Sequence, residues 1–370
     1  MNDLNSFDSL IPKPRDEIIS MNAYSAPLEN RRNLLRLDFN ENTLGPSIKV
    51  LNALKNIKLN EIAVYPEYSL LKKTLYEDYF ESKRIKINQI GIFNGADAAI
   101  NAIFNSFGQK NQFFLTTNPT FGYYAPCAEM RGMKTVTSSY LGSEFLFPIK
   151  DFEAKIKQYN PKIVFICNPN NPTGSVLSAK KIIELANLNK NSLIVVDELY
   201  EKFLGDSVIP IIDFEKTKNI VILQSLSKTA GLAGLRMGFA FGNNKVIEYI
   251  KKVTGPYDVN SFAVIASIAA IKDKSYIENY VRKVLHSRDW IKQKFESNNI
   301  KTHFSGGNYF LLWPNLEPQV LEKKMRERGI LIRSMAKKKD LDKCLRVSIG
   351  TKEQMQIFWE NYNYLDSYNN

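Results

Sequence analysis

The chain has only two histidines, His286 and His303, and three cysteines, Cys127, Cys167 and Cys344, in 370 residues. With no close cysteine pair and so few imidazoles, no metal site is expected. An odd, scattered set of thiols suits a reducing compartment. Long apolar runs are also missing. The longest, Phe262 to Ile271, is interrupted by Ser267 and falls short of the roughly 20 residues a bilayer span needs. The opening Met1-Asn2-Asp3-Leu4-Asn5-Ser6 has no basic stretch ahead of an apolar core, so no secretory signal is expected. These absences predict a cytoplasmic protein with no membrane partner.

A nucleic-acid signature is absent as well, despite a net charge of +12 from 50 basic and 38 acidic residues. The densest basic run, Lys323 to Lys339, is broken by Glu327 and by Gly329-Ile330-Leu331-Ile332, and no basic stripe carries aromatics at stacking spacing. The expectation is a solvated lysine-rich surface and no nucleic-acid partner. A non-enzymatic nucleic-acid-binding protein is the distant alternative, which the charge alone motivates.

What is present is ordinary globular composition, 44% hydrophobic and 24% charged, over a length that allows two domains. Short apolar runs recur from residue 90 onward: Gly91-Ile92-Phe93, Phe113-Phe114-Leu115, Lys134-Thr135-Val136, Ile163 to Cys167, Leu193 to Val196, Ile220 to Leu223 and Gly238 to Phe241. Helical segments lie between them. Seven such runs, several continuously apolar, predict an α/β fold with a mostly parallel seven-stranded sheet in a three-layer αβα arrangement. After about residue 257 two long helical patterns precede three strand-like runs, which predicts a smaller α+β domain. The expected division is an arm at 1–35 joining the small domain, a large domain at 36–256 and the small domain at 257–370.

In open α/β sheets ligands bind beyond the carboxyl ends of the strands, so the residues after each run matter most. Phe93 is followed by Asn94-Gly95-Ala96-Asp97 at a helix start, which is either an anion site or a plain aspartate cap. Leu115 leads to Asn118-Pro119-Thr120-Phe121, where Phe121 is a ring for stacking or a core aromatic. Cys167 leads to Asn168-Pro169-Asn170-Asn171-Pro172-Thr173-Gly174, a prolyl-rigid loop bearing amides. Val196 leads to Asp197-Glu198-Leu199-Tyr200. An aspartate directly after buried aliphatics is costly unless a cation or strong donors meet it. Leu223 leads to Ser225-Leu226-Ser227-Lys228 and, past Gly231 and Gly234, to Arg236. Among small residues Lys228 is poorly hydrated, which favours the free amine; the plain alternative is a surface lysine.

Pyridoxal phosphate would use all of these groups. Its aldehyde takes a lysine amine, Lys228; its ring nitrogen takes a carboxylate, Asp197; and its phenolic oxygen takes neutral donors, Asn171 and Tyr200. Its phosphate takes Ser225, Ser227, Arg236 and the Gly95-Ala96-Asp97 turn. A nicotinamide oxidoreductase is disfavoured, because the glycines at 231, 234 and 238 have the wrong spacing and lie late in the chain.

The Asn171-Pro172-Thr173-Gly174 loop, then Asp197 with Tyr200, then Ser225-Leu226-Ser227-Lys228 with Arg236, resemble the class I/II aminotransferases of fold type I over essentially the whole chain. Leu37 to Asn42, Tyr65-Pro66-Glu67, Pro119 to Gly122 and Leu345 to Thr351 are most similar to the histidinol-phosphate aminotransferase branch. The resemblance implies transamination between an amino donor, histidinol phosphate, and a 2-oxo acid, 2-oxoglutarate, by a homodimer. Lys228, Asp197 and Tyr200 would be catalytic, and Phe121 would stack on the cofactor. Tyr65 would reach the phosphate held by the neighbouring subunit. Arg346 would pair with the substrate α-carboxylate, Arg333 and Tyr24 with its distal end, and Asn40 and Asn308 would line the pocket. Three positions depart from the family pattern. Ala98 stands where glutamate is usual, Phe121 where tyrosine is common, and Leu199 where alanine is usual. Related subgroups act on aromatic amino acids, so an aromatic aminotransferase and a threonine-phosphate-type decarboxylase remain alternatives.

Overall fold

The computed structural model describes residues 12–23, 29–80, 84–336, 338 and 340–367. After a short strand β1 (Leu35–Arg36) come seven strands of one sheet: β2 (Ile90–Asn94), β3 (Phe113–Asn118), β4 (Lys134–Ser139), β5 (Ile163–Cys167), β6 (Leu193–Asp197), β7 (Ile220–Ser225) and β8 (Met237–Gly242). Their order is β2-β8-β7-β6-β5-β3-β4, with β8 antiparallel to both neighbours and the remaining pairings parallel. Every residue of β5, β6, β7 and β8 is buried. That explains why these strands read as continuous apolar runs: helices cover both faces, so neither face can be polar.

The direction of β8 matters for the site. Parallel strands bring their carboxyl ends to one edge of the sheet, while an antiparallel strand brings its beginning there. Gly238 pairs with Phe93 on one side and Ser225 on the other, so Arg236 arrives beside the ends of β2 and β7. A side chain at Gly238 would collide with the backbone of Gly95 at 2.3 Å, and one at Gly231 with that of Gly45 at 2.4 Å. These glycines therefore let backbone pack on backbone.

A second sheet has the order β12-β13-β10-β9, all antiparallel, from β9 (Thr302–His303), β10 (Tyr309–Leu312), β12 (Arg333–Ser334) and β13 (Leu345–Ser348). β11 (Ile330–Leu331) instead pairs in parallel with β1. The helix Lys274–Ser297 supports this second sheet by burying Tyr280, Val284, Ile291 and Phe295, whose spacing keeps them on one face. Phe295 meets Phe310 at 5.4 Å and Tyr362 at 5.7 Å. The chain just after β1 is stitched to the same unit, since Ser348 N donates to the Leu37 carbonyl at 2.8 Å and Asn40 N to Ser348 Oγ at 2.9 Å. By contrast, Ser261–Lys272 packs into the core of the large sheet. No helix among the described residues is long and apolar enough to cross a membrane.

Candidate active site

A cleft of about 290 Å³ opens at the carboxyl edge of the large sheet. Its walls include Phe39, Glu41, Ala96, Asp97, Phe121, Asn171, Asp197, Tyr200, Ser225, Ser227, Lys228 and Arg236. The residues predicted from five separate strand ends thus converge on one space.

Asp197 ends β6 almost fully buried. It accepts a hydrogen bond from the Tyr124 hydroxyl at 2.5 Å and a longer one from Leu199 N at 3.3 Å. Burial pushes its carboxyl up to about 6, and the Tyr124 hydroxyl opposes that shift without cancelling it. A carboxyl in this state is short of positive charge, and a protonated ring nitrogen in the cleft would supply it.

Lys228 follows β7, and its Nζ donates to the Phe39 carbonyl at 2.9 Å. Burial, reinforced by the Arg346 charge, lowers its amine to about 8. A neutral carbonyl holds the nitrogen in place without stabilising its positive charge as a carboxylate would. The Tyr200 ring lies 5.9 Å from Nζ.

Tyr200 is buried, and its hydroxyl accepts from Asn171 Nδ2 and Asn40 Nδ2, each at 3.2 Å. Asn171 turns its other atom to Arg346, whose Nη1 donates to Asn171 Oδ1 at 2.6 Å. Arg346 Nη2 donates to the Asp38 carbonyl, while its Nε is buried without a partner among the described residues. A buried guanidinium held by two neutral oxygens, with one donor unsatisfied, is set for an anion. Asp38 is itself gripped by Arg31, Nε to Oδ2 at 3.0 Å and Nη2 to Oδ1 at 2.6 Å.

At the opposite end of the cleft, Ser225 Oγ and Ser227 Oγ lie 2.8 Å apart, and Ser225 Oγ also donates to the Met237 carbonyl at 2.8 Å. Arg236, at φ 58°, donates to Asp97 at 2.9 Å. Both members of that ion pair are about half exposed, so it is worth little and readily exchanged for a stronger anion. The helix Gly95–Phe107 begins here and adds its free N–H groups. Two hydroxyls, a guanidinium and a helix start make a phosphate cradle.

Gly95, Asn40 and Arg346 stand just behind the lining, beside Ala96, Tyr200 and Asn171, and four further predicted residues lie elsewhere or were not placed. Asn308 is fully buried behind Asn40, donating to the Asn40 carbonyl at 3.2 Å, and is not among the residues lining the cleft. Tyr65 is 70% exposed and stacks on Tyr257 at 4.1 Å, outside this chain's own cleft. Arg333 stands directly across from Arg346 in the β12–β13 register, with its guanidinium 5.8 Å from the Phe39 ring. Tyr24 falls outside the described residues. Phe121 lines the cleft and meets Tyr124 edge-on at 5.4 Å. Tyr124 itself was missed: it lay in plain view in Phe121-Gly122-Tyr123-Tyr124, but nothing in the sequence says which tyrosine points inward. The Phe39 carbonyl has no residue-type signature at all.

The profile of the family described as aminotransferase class I and II matches residues 32–361. The chain belongs to that family. It is 31% identical over 358 residues to a histidinol-phosphate aminotransferase of Clostridium novyi, covering 95% of this chain and 98% of that one. Identity to the histidinol-phosphate aminotransferase of Caldanaerobacter subterraneus is 29%, covering 92% and 94% of the two chains. In structure the chain is similar to the histidinol-phosphate aminotransferase of Sinorhizobium meliloti in complex with pyridoxal-5'-phosphate, with TM-score 0.83, 22% identity, and 98% and 100% coverage. It also resembles the L-threonine-O-3-phosphate decarboxylase of Porphyromonas gingivalis, with TM-score 0.76, 25% identity, and 90% and 99% coverage. The fold is the α/β fold type I of the pyridoxal-phosphate-dependent aminotransferases, as the sequence predicted. As an aminotransferase of this class the enzyme uses pyridoxal phosphate. The donor set fits that cofactor on this structure's own terms: a buried acid short of positive charge, an amine of lowered proton affinity and a phosphate cradle line one cleft.

Proposed function

We propose that the enzyme transfers the amino group of histidinol phosphate to 2-oxoglutarate, giving imidazole acetol phosphate and glutamate. The observation that carries this reading is the 31% identity to a histidinol-phosphate aminotransferase across 95% of the chain. The site supports it through an anion-binding end built on Arg346 and its cross-strand neighbour Arg333.

When bound, the cofactor supplies an aldehyde that takes up the amino group and a ring that accepts the electron pair left when the substrate carbon loses its proton. Lys228 Nζ would hold the proton that the substrate carbon gives up, and a nitrogen that is readily neutral suits the task. The Asp197 carboxylate would keep the ring nitrogen protonated, and Tyr124 fixes the direction of that carboxylate. Asn171 and Tyr200 would hold the ring oxygen, Phe121 would pack on the ring, and Ser225, Ser227, Arg236 and the Gly95-Ala96-Asp97 turn would hold the phosphate. Arg346 binds the α-carboxylate of glutamate or 2-oxoglutarate. Histidinol phosphate has no α-carboxylate, so its phosphate takes that place, with Arg333 beside it. Asn40 orients Tyr200, Asn308 supports Asn40, and Tyr24 contributes at the distal end.

A homodimer, in the cytoplasm, is part of the proposal. The exposed side chains of Leu59, Ile62, Val64, Tyr65 and Leu70 form an apolar face suited to a second copy. Tyr65, on that face and stacked on Tyr257, would be exposed to the partner and serve the partner's cofactor phosphate.

Steady-state rates of the cofactor-loaded enzyme with histidinol phosphate, phenylalanine and threonine phosphate test the reading. The highest kcat/KM should belong to histidinol phosphate, with one glutamate formed per turnover. Preference for phenylalanine would replace the substrate assignment. The likeness to the Porphyromonas gingivalis decarboxylase favours a second reading, and release of carbon dioxide from threonine phosphate would select it.

A further inference from the structure

Arg333 and Arg346 are direct cross-strand partners. Like charges at such positions repel, and neither arginine makes an ion pair with any described carboxylate. Arg346 is held by neutral oxygens of Asn171 and Asp38, and Arg333 lies over the Phe39 ring. Glu322 is near enough to feel the Arg333 charge without bonding to it. A third cation joins them. Lys338, on the loop between β12 and β13, is half-buried and donates through Nζ to the Thr120 carbonyl at 2.8 Å. Thr120 is held in turn by Asn170, whose Oδ1 accepts its hydroxyl at 2.7 Å, and Phe121 next to it is a wall of the cleft. The lysine is therefore anchored at the rim of the active site by one of its three N–H groups, and the other two have no bond to the described residues.

We infer that Lys338 is a specificity-determining residue, completing with Arg333 and Arg346 a three-cation receptor for the phosphate monoester of the amino donor. This rests on the substrate reading above. The chemistry of the two half-reactions supplies the reason. A 2-oxo acid presents a singly charged carboxylate directly on its reacting carbon, which one guanidinium pairs with in full. A phosphate monoester carries close to two charges and three acceptor oxygens, and stands one methylene and one oxygen further out. One cation set must accept both. A lysine on a loop, reaching in from the rim, meets the longer and more highly charged group and leaves the carboxylate to Arg346. Burial and the Arg346 and Arg333 charges bring the Lys338 amine down to about 8, so its neighbours are crowded with positive charge that an incoming dianion relieves.

The test is K338M in the cofactor-loaded enzyme. Its kcat/KM for histidinol phosphate should fall about tenfold to a hundredfold, the loss of one charge-assisted hydrogen bond, mostly through KM. KM for 2-oxoglutarate should stay unchanged, and K338R should recover most of the loss. An equal fall for both substrates, or no fall, overturns the inference. A second readout is the inhibition constant of inorganic phosphate against transamination from glutamate, which should weaken in K338M. If the unaltered enzyme ignores histidinol phosphate, the substrate reading fails on that result. The receptor is then judged on inorganic phosphate alone, and equal inhibition constants for the two proteins overturn it.

Discussion

The Tyr124 hydroxyl donates to Asp197 Oδ2 at 2.5 Å, deep under the cleft floor. It is the shortest support the Asp197 carboxylate has, since the backbone bond from Leu199 is 3.3 Å long. Removing the hydroxyl in Tyr124→Phe should raise the Asp197 carboxyl further above about 6 and weaken its hold on a protonated ring nitrogen. The expected loss in cofactor affinity is about tenfold, read by titrating the apoprotein with pyridoxal phosphate. An unaltered affinity and kcat would show that Tyr124 only packs.

Lys228 sets a pH dependence. Burial, then the Arg346 charge, lowers its amine to about 8, so the neutral form grows as pH rises through that value. Only the neutral amine attacks an aldehyde. The rate at which apoprotein takes up pyridoxal phosphate, followed by absorbance, should therefore climb from pH 7 to 8 and level off above about 9. A midpoint near 10 would mean that the lysine is not desolvated. Lys228→Ala should abolish both the absorbance change and turnover.

Arg31 supports Arg346 at one remove. Its side chain and that of Asp38 are 9% and 6% exposed, and two hydrogen bonds join them. Arg31→Met would strand a buried carboxylate, at a cost of about 3–5 kcal/mol in unfolding free energy by urea titration. KM for the 2-oxo acid should rise as well, because the Asp38 carbonyl that orients Arg346 loses its anchor. Stability within about 0.5 kcal/mol of the parent protein would contradict this.

The apolar face around Tyr65 predicts an assembly defect. Ile62→Glu with Val64→Glu adds charge where a second copy would dock, and sedimentation should show a shift from dimer to monomer. Activity should fall with it if Tyr65 serves the partner's site. A dimer that survives the change places the interface elsewhere.

Much of the fold was readable because buried parallel strands leave unmistakable apolar runs. Ile163 to Cys167, Leu193 to Val196 and Ile220 to Leu223 became adjacent strands, and the polar residue after each fell at the same edge. Lys228, Asp197 and Asn171 were legible for that reason. What stayed hidden depends on direction or on main chain. The reversal of β8 places Arg236, yet Gly238 to Phe241 reads the same in either direction. Tyr124 could not be told from Tyr123, and the Phe39 carbonyl that holds Lys228 is an atom every residue owns. Gly231 and Gly238 also serve main chain, since each lets one backbone pack on another.

The strip from Leu37 to Asn40 is fastened to Ser348 of the second sheet. Its Asp38 carbonyl receives Arg346, and the very next carbonyl, Phe39, receives Lys228. Arg346 and Lys228 are therefore moored to consecutive links of one chain. The two carbonyls belong to adjoining planar peptide units, so the geometry of one tie constrains the geometry of the other.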